Sequence, residues 1–299
     1  MKALITGAAG FIGNALAKTL ADTYELTLTD IIVPDQVYGC KFIQADLTDY
    51  KSVKQLPDVD IVFHFCAYNN TAHFYTKPLS VINNTLTPTI NLINRYANVK
   101  KFVYAGSSEI YAGGLELGLV TIPTNEVNVG IINGIDNPRW SYAGSKLMGE
   151  LLIHAAHVEH NLDYLILRFH NVYGKNQKSH FIPEYIERLL NHDNVLYGAD
   201  QTRAFLYIED AVDIVKQLSA AATNDTINIG NPKETSINDA AHVIRQCLKI
   251  TEMPILKPSP AGSVDRRCAD LSKMTSIIGK YDFTSLEQGV RQILTEFVL

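Results

Sequence analysis

Cysteine, methionine and tryptophan are sparse: four, four and one in 299 residues. Cys40, Cys66, Cys247 and Cys268 are scattered and share no metal-ligand spacing. They argue against a disulfide framework and read as reduced, mostly core thiols of a cytoplasmic protein. His73, His170 and His180 also lack partner spacing, so no metal is expected. Neither charge sign dominates: 26 Lys and Arg against 31 Asp and Glu leave a net charge of −5. With a pI near 6.0 there is no electrostatic footprint for nucleic acid. No apolar run reaches the length of a membrane span, and the first residues read as a strand rather than a signal peptide. Repeats, low-complexity tracts and obvious linkers are missing too. A 46% hydrophobic chain of this length suits one large α/β unit or two intimate lobes.

What is present begins at residue 2. Residues 2–6 (KALIT) read as a short buried strand, followed by Gly7-Ala8-Ala9-Gly10-Phe11-Ile12-Gly13 and an Ala/Leu-rich helix through Leu20. Strand, glycine turn and helix N-terminus together make an anion site suited to a pyrophosphate. Gly7 permits the tight turn, Gly10 the close phosphate approach and Gly13 close helix packing. The spacing is G-x-x-G-x-x-G rather than the commoner G-x-G-x-x-G, and its place directly after a strand is what supports it. A second strand over 25–29 ends at Asp30, where a carboxylate can accept both ribose hydroxyls of NAD and would repel the 2′-phosphate of NADP. Asp46-Leu47, after a third strand over 41–45, either meets the adenine or caps a helix over 50–56.

Strand and helix patterns then alternate: strand 60–65, helix 80–96, strand 101–105, helix 142–160, strand 164–168. Such alternation predicts a Rossmann-type α/β fold, a doubly wound parallel sheet, in residues 1–170. A smaller C-terminal substrate-binding lobe is expected over 171–299, with a return segment near 204–230. Short helices are expected there at 183–191, 208–222, 237–248 and 286–298. Ligands of such sheets bind beyond the carboxyl ends of the strands, which is where Ser107 falls.

Tyr142 and Lys146 stand four residues apart in Trp140-Ser141-Tyr142-Ala143-Gly144-Ser145-Lys146, on one face of the predicted helix. A phenol, with a pKa of about 10, is a poor base until a neighbouring ammonium favours its ionised form. Such a pair moves a proton on and off an alcohol. Ser107-Ser108-Glu109-Ile110-Tyr111 follows the 101–105 strand, and Ser107 can share that proton.

Taken together, TGAAGFIG, Asp30, SSEIY and YAGSK resemble the extended short-chain dehydrogenase/reductase family, and its NAD-dependent nucleotide-sugar epimerase/dehydratase branch in particular. The likeness extends to Leu167-Arg168-Phe169-His170-Asn171-Val172-Tyr173-Gly174, to the loop from Tyr197 through Arg203 to Phe205, and to Arg266-Arg267-Cys268-Ala269-Asp270. The resemblance implies bound NAD, a nucleotide-sugar substrate and an enzyme. It makes Tyr142 the base for the sugar 4-OH and Lys146 the ligand of the nicotinamide ribose that lowers the phenol pKa. Ser107 would orient the substrate oxygen, with Ser108 beside it, and Asn171 would bind the sugar diphosphate. Arg203 and Arg267 would clamp the pyrophosphate, since guanidinium suits bidentate phosphate contact, with Arg266 as the fallback. His64 and Cys66 would pack beside the cofactor. The helices over 80–96 and 142–160 match those that form an intersubunit four-helix bundle, with Leu92, Leu147 and Leu151 facing outward, so a homodimer is expected.

The first step, oxidation at C4, leaves three outcomes open. An epimerase returns hydride to the other face, a decarboxylase loses the C6 carboxylate, and a dehydratase eliminates water across C5–C6. The residues rank them in that order. Glu109 is the discriminating position, because an epimerase needs no carboxylate there. Ser108 stands where one dehydratase form carries its acid. A remote alternative is a non-catalytic NAD-binding sensor or scaffold. The stretch 112–138 between serine and tyrosine is long, and is either a lid over the sugar or a surface excursion whose apolar residues partly pack.

Overall fold

The computed structural model describes residues 1–127, 130–259 and 264–295. Its first part runs β1 (Lys2–Thr6), α1 (Phe11–Leu20), β2 (Glu25–Asp30), β3 (Lys41–Gln44), α2 (Tyr50–Lys54), β4 (Ile61–His64), α3 (Thr71–Thr76) and α4 (Pro78–Tyr96). It continues through β5 (Lys101–Ser107), a 3-10 turn (Ser108–Tyr111), α5 (Ala112–Glu116), α6 (Trp140–His160) and β6 (Tyr164–Phe169). Then follow β7 (Val172–Tyr173), α7 (Phe181–Leu190), β8 (Val195–Tyr197), β9 (Thr202–Ala204), β10 (Leu206–Tyr207), α8 (Ile208–Ala221) and β11 (Asp225–Ile229). The last elements are β12 (Glu234–Ser236), α9 (Ile237–Leu248), β13 (Ile255–Lys257), β14 (Arg266–Arg267), α10 (Ser272–Ile278) and α11 (Leu286–Leu294). The expected end of this last helix, near Val298, lies outside the described residues.

Seven parallel strands form the central sheet in the order β11-β6-β5-β4-β1-β2-β3. Its strands are apolar on both faces, as in Ala3-Leu4-Ile5, because helices cover both sides. Leu16, Leu20, Val215 and Leu218 belong to the core on one face, and Leu92, Tyr96, Ile153 and Ala156 to that on the other. The chain steps outward from β1 to β3 and returns on the other side of β1 to β4. That reversal opens a crevice at the carboxyl ends of β1 and β4, the switch point where ligands of such sheets sit.

One side chain departs from its expected place. Leu92 does not face outward: it is fully buried against the sheet. Thr85, Thr89 and Tyr96, at helical spacing from it, share its buried face, so the period of α4 turns Leu92 inward. Leu79, Ile82 and Ile90 are the exposed apolar residues of α4, and Met148, Leu151 and Val158 those of α6. Leu147 is only partly exposed.

A second, three-stranded sheet of order β12-β9-β14 overhangs the carboxyl end of the main sheet's strands, and β14 pairs with β9 so that Arg267 stands in register with Arg203. The long insertion between Ser107 and Tyr142 is tied to it, because Thr124 N–H donates to Cys268 O at 2.9 Å and Asp270 N–H to Thr124 O at 2.8 Å. Val120 of the insertion is buried while Leu117 and Leu119 are exposed, so it packs in part.

Candidate active site

The glycine turn shapes the cofactor end. Gly7 has φ +72°, and a Cβ there would lie 2.7 Å from the Cys66 nitrogen. A Cβ on Gly13 would fall onto the Gly7 carbonyl. Both positions therefore demand glycine. Gly10 is the N-cap of α1 and supplies no side-chain cap to the first N–H groups of the helix, which include those of Phe11 and Ile12. Asp30 ends β2, and its carboxylate accepts from Ala9 N–H at 2.9 Å, which holds it against the glycine turn.

Asp46 neither caps α2 nor stays unengaged. It accepts from the Thr48 amide at 2.9 Å and the Thr48 hydroxyl at 2.7 Å, and Asp49 caps the helix instead. Leu47 is buried in the core. His64 is fully buried between Thr6 Oγ1 at 2.8 Å and Thr89 Oγ1 at 2.9 Å, and burial pushes its pKa down to about 3. Burial pushes the Cys66 thiol up to about 12. Both are packing groups beside the crevice.

Helix α6 begins at Trp140, so Tyr142 and Lys146 stack one turn apart near its N-terminus. Lys146 is buried; its Nζ donates to Ala105 O at 2.8 Å and lies 5.9 Å from the centroid of the Tyr142 ring. Burial pushes its pKa down to about 8. Burial, and after it the Glu109 charge, drive the pKa of the Tyr142 phenol well above 10, with Ser107, the last residue of β5, acting in the opposite direction. The phenol ring itself lies flat against Phe74, with centroids 5.1 Å apart and planes 9° apart. Such pairs add about 0.5–1.5 kcal/mol beyond the area they bury. Nothing in the sequence marks Phe74, because α3 is too short to show a period.

Glu109 stands in the 3-10 turn just past Ser107, and a quarter of its side chain is exposed to the cleft. It forms an ion pair with Arg267, and Arg139 Nη2 lies 4.0 Å from its other oxygen. The charges of Arg267, Arg139 and Arg203 outweigh its burial and hold its pKa below the usual carboxylate range. Arg203 is held by Thr202 O at 2.7 Å, and burial, with Arg267 beside it, pushes its pKa down to about 10. Arg266 does not join this cluster: it turns outward to Glu234 at 2.8 Å, more than half exposed. Arg139 does, although its position offered no spacing rule; it is buried and also pairs with Glu116. Asn171 has φ +37°, and its Nδ2 is buried with no hydrogen-bond partner, as is Arg267 Nε. Ser108, the first residue of the turn, is buried.

Behind these groups Glu150, one turn beyond Lys146, accepts a bidentate pair from Arg168 at 2.7 and 3.1 Å. Arg168 also donates to Tyr111 Oη at 2.6 Å, and Tyr111 donates to Asn228 Oδ1 at 3.1 Å. This network locks α6, the 3-10 turn, β6 and β11 together.

The sequence model of the NAD dependent epimerase/dehydratase family matches residues 3–230. The chain belongs to that family. The family contains more than one reaction. A UDP-N-acetyl-alpha-D-glucosaminuronate decarboxylase of Bacillus cytotoxicus is 29% identical, over 99% of this chain and 97% of that protein. A dTDP-D-glucose 4,6-dehydratase of Dictyostelium discoideum is 31% identical, over 81% of this chain and 61% of that protein. A UDP-glucose 4-epimerase of Thermotoga maritima shares the fold with a TM-score of 0.89 at 23% identity, over 99% of this chain and 98% of that one. As a member of the epimerase/dehydratase family the protein is an enzyme and NAD is its cofactor. The uncapped α1 N-terminus, the glycine cradle, Asp30 and buried Lys146 fit that cofactor. No helix among the described residues is long and apolar enough to cross a membrane.

Proposed function

We propose that the enzyme oxidises C4 of a nucleotide-linked uronic acid and decarboxylates the β-keto acid that results. The observation that carries this reading is the placement of Arg267 and Arg139 around Glu109, with Arg203 in register beside Arg267. Three guanidinium groups share only two carboxylates there, Glu109 and Glu116, and the surplus positive charge suits an anionic sugar better than a neutral one. The match to a uronate decarboxylase over nearly the whole chain supports the same substrate class.

When bound, NAD supplies the two-electron acceptor for C4 and returns those electrons at the end. Tyr142 takes the 4-OH proton, Ser107 orients that oxygen, and Lys146 holds the cofactor side and favours the ionised phenol. Asn171, Arg203 and Arg267 hold the diphosphate. With a ketone at C4 the C5–C6 bond breaks, carbon dioxide leaves, and its electron pair passes to the C4 oxygen, which the Tyr142 hydroxyl steadies. C5 then takes a proton from solvent before C4 is reduced. Glu109, kept ionised by its arginines, holds Arg267 in place and has no proton to donate. For the same reason dehydration ranks last, since Ser108 offers no acid for the leaving hydroxyl.

Epimerisation at C4 is the second reading. It is favoured by the same locked Glu109: outside Tyr142 and Ser107 the site then needs no further acid or base, and returning hydride to the opposite face asks for none. Mass analysis of products from UDP-glucuronate and its N-acetylated amino analogue separates the two, because only decarboxylation changes the mass.

We also infer a homodimer built on α4 and α6, supported by Leu79, Ile82, Ile90, Met148, Leu151 and Val158 standing exposed on these two helices. Light scattering at micromolar concentration tests it; a monomer contradicts it. Four unpaired cysteines agree with a reducing compartment such as the cytoplasm.

A further inference from the structure

Helix α3 buries one side chain, Phe74. That side chain does not join the cores on either face of the sheet: it clusters with Val81 and Tyr142, with Ala67 and Tyr68 at its edge. The helix is held in place from several directions. Asn70 caps it by accepting from His73 N–H at 3.3 Å, Tyr68 stacks on His73 and meets its Nδ1 at 3.0 Å, and Tyr68 N–H donates to Thr85 Oγ1 at 3.2 Å. From α6, Ser141 Oγ donates to Phe74 O at 3.5 Å. A short, well-fastened helix thus delivers one aromatic ring, flat, onto the phenol.

We infer that Phe74 is a positioning residue for the reaction: stacked on Tyr142, it fixes the tilt of the phenol ring and closes that face to water. The inference rests on the reading of Tyr142 as the proton-transfer group. The phenol oxygen lies on the Cβ–Cγ axis, so a swing of the ring about Cα–Cβ displaces it, and it must stay within hydrogen-bond reach of the sugar hydroxyl. Lys146 Nζ lies 5.9 Å from the ring centroid and is held by Ala105 O, so it does not block that swing. Phe74 does. The titratable groups facing the phenol are Glu109 from the 3-10 turn, Tyr104 from β5 and Lys146 on its own helix. On α3 itself the titratable neighbour of Phe74 is His73, engaged with Tyr68.

The test uses NAD-loaded enzyme labelled with 3-fluorotyrosine, with the Tyr142 resonance identified by its loss in Tyr142→Phe. In Phe74→Ala the resonance should move, because the ring above it is gone, and should titrate about one unit lower as water reaches the phenol. Turnover should fall about tenfold or more with KM within about twofold, because orientation and not binding is lost. Phe74→Tyr should restore both, and Phe74→Leu, which fills the volume without a flat face, should restore neither fully. An unmoved resonance with unchanged turnover in Phe74→Ala overturns the inference, as does full rescue by Phe74→Leu. Should Phe74→Ala fail to fold, the contrast between the tyrosine and leucine variants decides alone. The resonance needs no turnover, so an error in the assigned substrate would leave this test readable.

Discussion

Arg267 reaches across 158 residues of sequence to bind the carboxylate of Glu109. The contact joins the turn that follows β5 to a two-residue strand of the second small sheet. It makes Glu109 an ionised anchor, and Arg139 and Arg203 add positive charge around it.

Arg139 should therefore separate charged from neutral substrates. Arg139→Leu should raise KM for a UDP-uronate by roughly 10- to 100-fold, the cost of one charge-assisted contact. The affinity for UDP-glucose, which lacks the carboxylate, should change far less. Steady-state kinetics and titration calorimetry with the two ligands check this; an equal loss for both contradicts the assigned role.

Tyr142→Phe removes the phenol oxygen and leaves the ring stacked on Phe74. Turnover should drop by about 100-fold to 10,000-fold. NAD should still co-purify, because the α1 N-terminus and Asp30 are untouched. Absorbance of the released cofactor after denaturation reads the second point independently of the first.

How much of this was open to the sequence depends on separation along the chain. The glycine turn, Asp30 and the Tyr142–Lys146 spacing are local, and each carries its meaning within a few residues. The apolar strands of the sheet were legible for the same reason. Arg203 and Arg267 could be singled out, but their register across β9 and β14 could not, since two- and three-residue strands show no alternation. Arg139 needed the fold of the insertion to be brought near Glu109. Phe74 needed the placement of α3, six residues with one buried side chain. Leu92 misled because α4 is apolar on more than one side, and only its packed partners Thr85, Thr89 and Tyr96 reveal which side faces the sheet. The burial of Tyr142, which pushes its pKa up, also needed the fold, since the residue types around it show only the neighbouring ammonium.

Glu150 holds the framework behind the site. Glu150→Ala would strand the buried Arg168 guanidinium and should destabilise the protein by about 3–5 kcal/mol. Thermal unfolding of the NAD-loaded protein should show a clear fall in Tm. An unchanged Tm would mean that Arg168 finds other acceptors.

Acid should weaken the protein before it reaches the carboxylate range. Burial holds the pKa of His64 down to about 3 and that of His170 down to about 4. In the unfolded chain both return to about 6.5. Between those values the unfolded state binds more protons, so stability rises with pH and is lost on acidification from about pH 6.5 downward. Glu109, whose pKa is lowered by its arginines, adds a loss of the same sign at lower pH. Tm measured between about pH 7 and pH 4.5 should fall steadily, and a flat profile over that window contradicts the buried neutral histidines.

The most direct measurement is a product screen of the NAD-loaded enzyme against UDP-glucuronate, its N-acetylated amino analogue, UDP-glucose and UDP-N-acetylglucosamine, read by mass spectrometry and NMR. The account predicts loss of carbon dioxide from a uronate and no reaction of the neutral sugars. Conversion of a neutral sugar to its C4 epimer, with the uronates untouched, would contradict it.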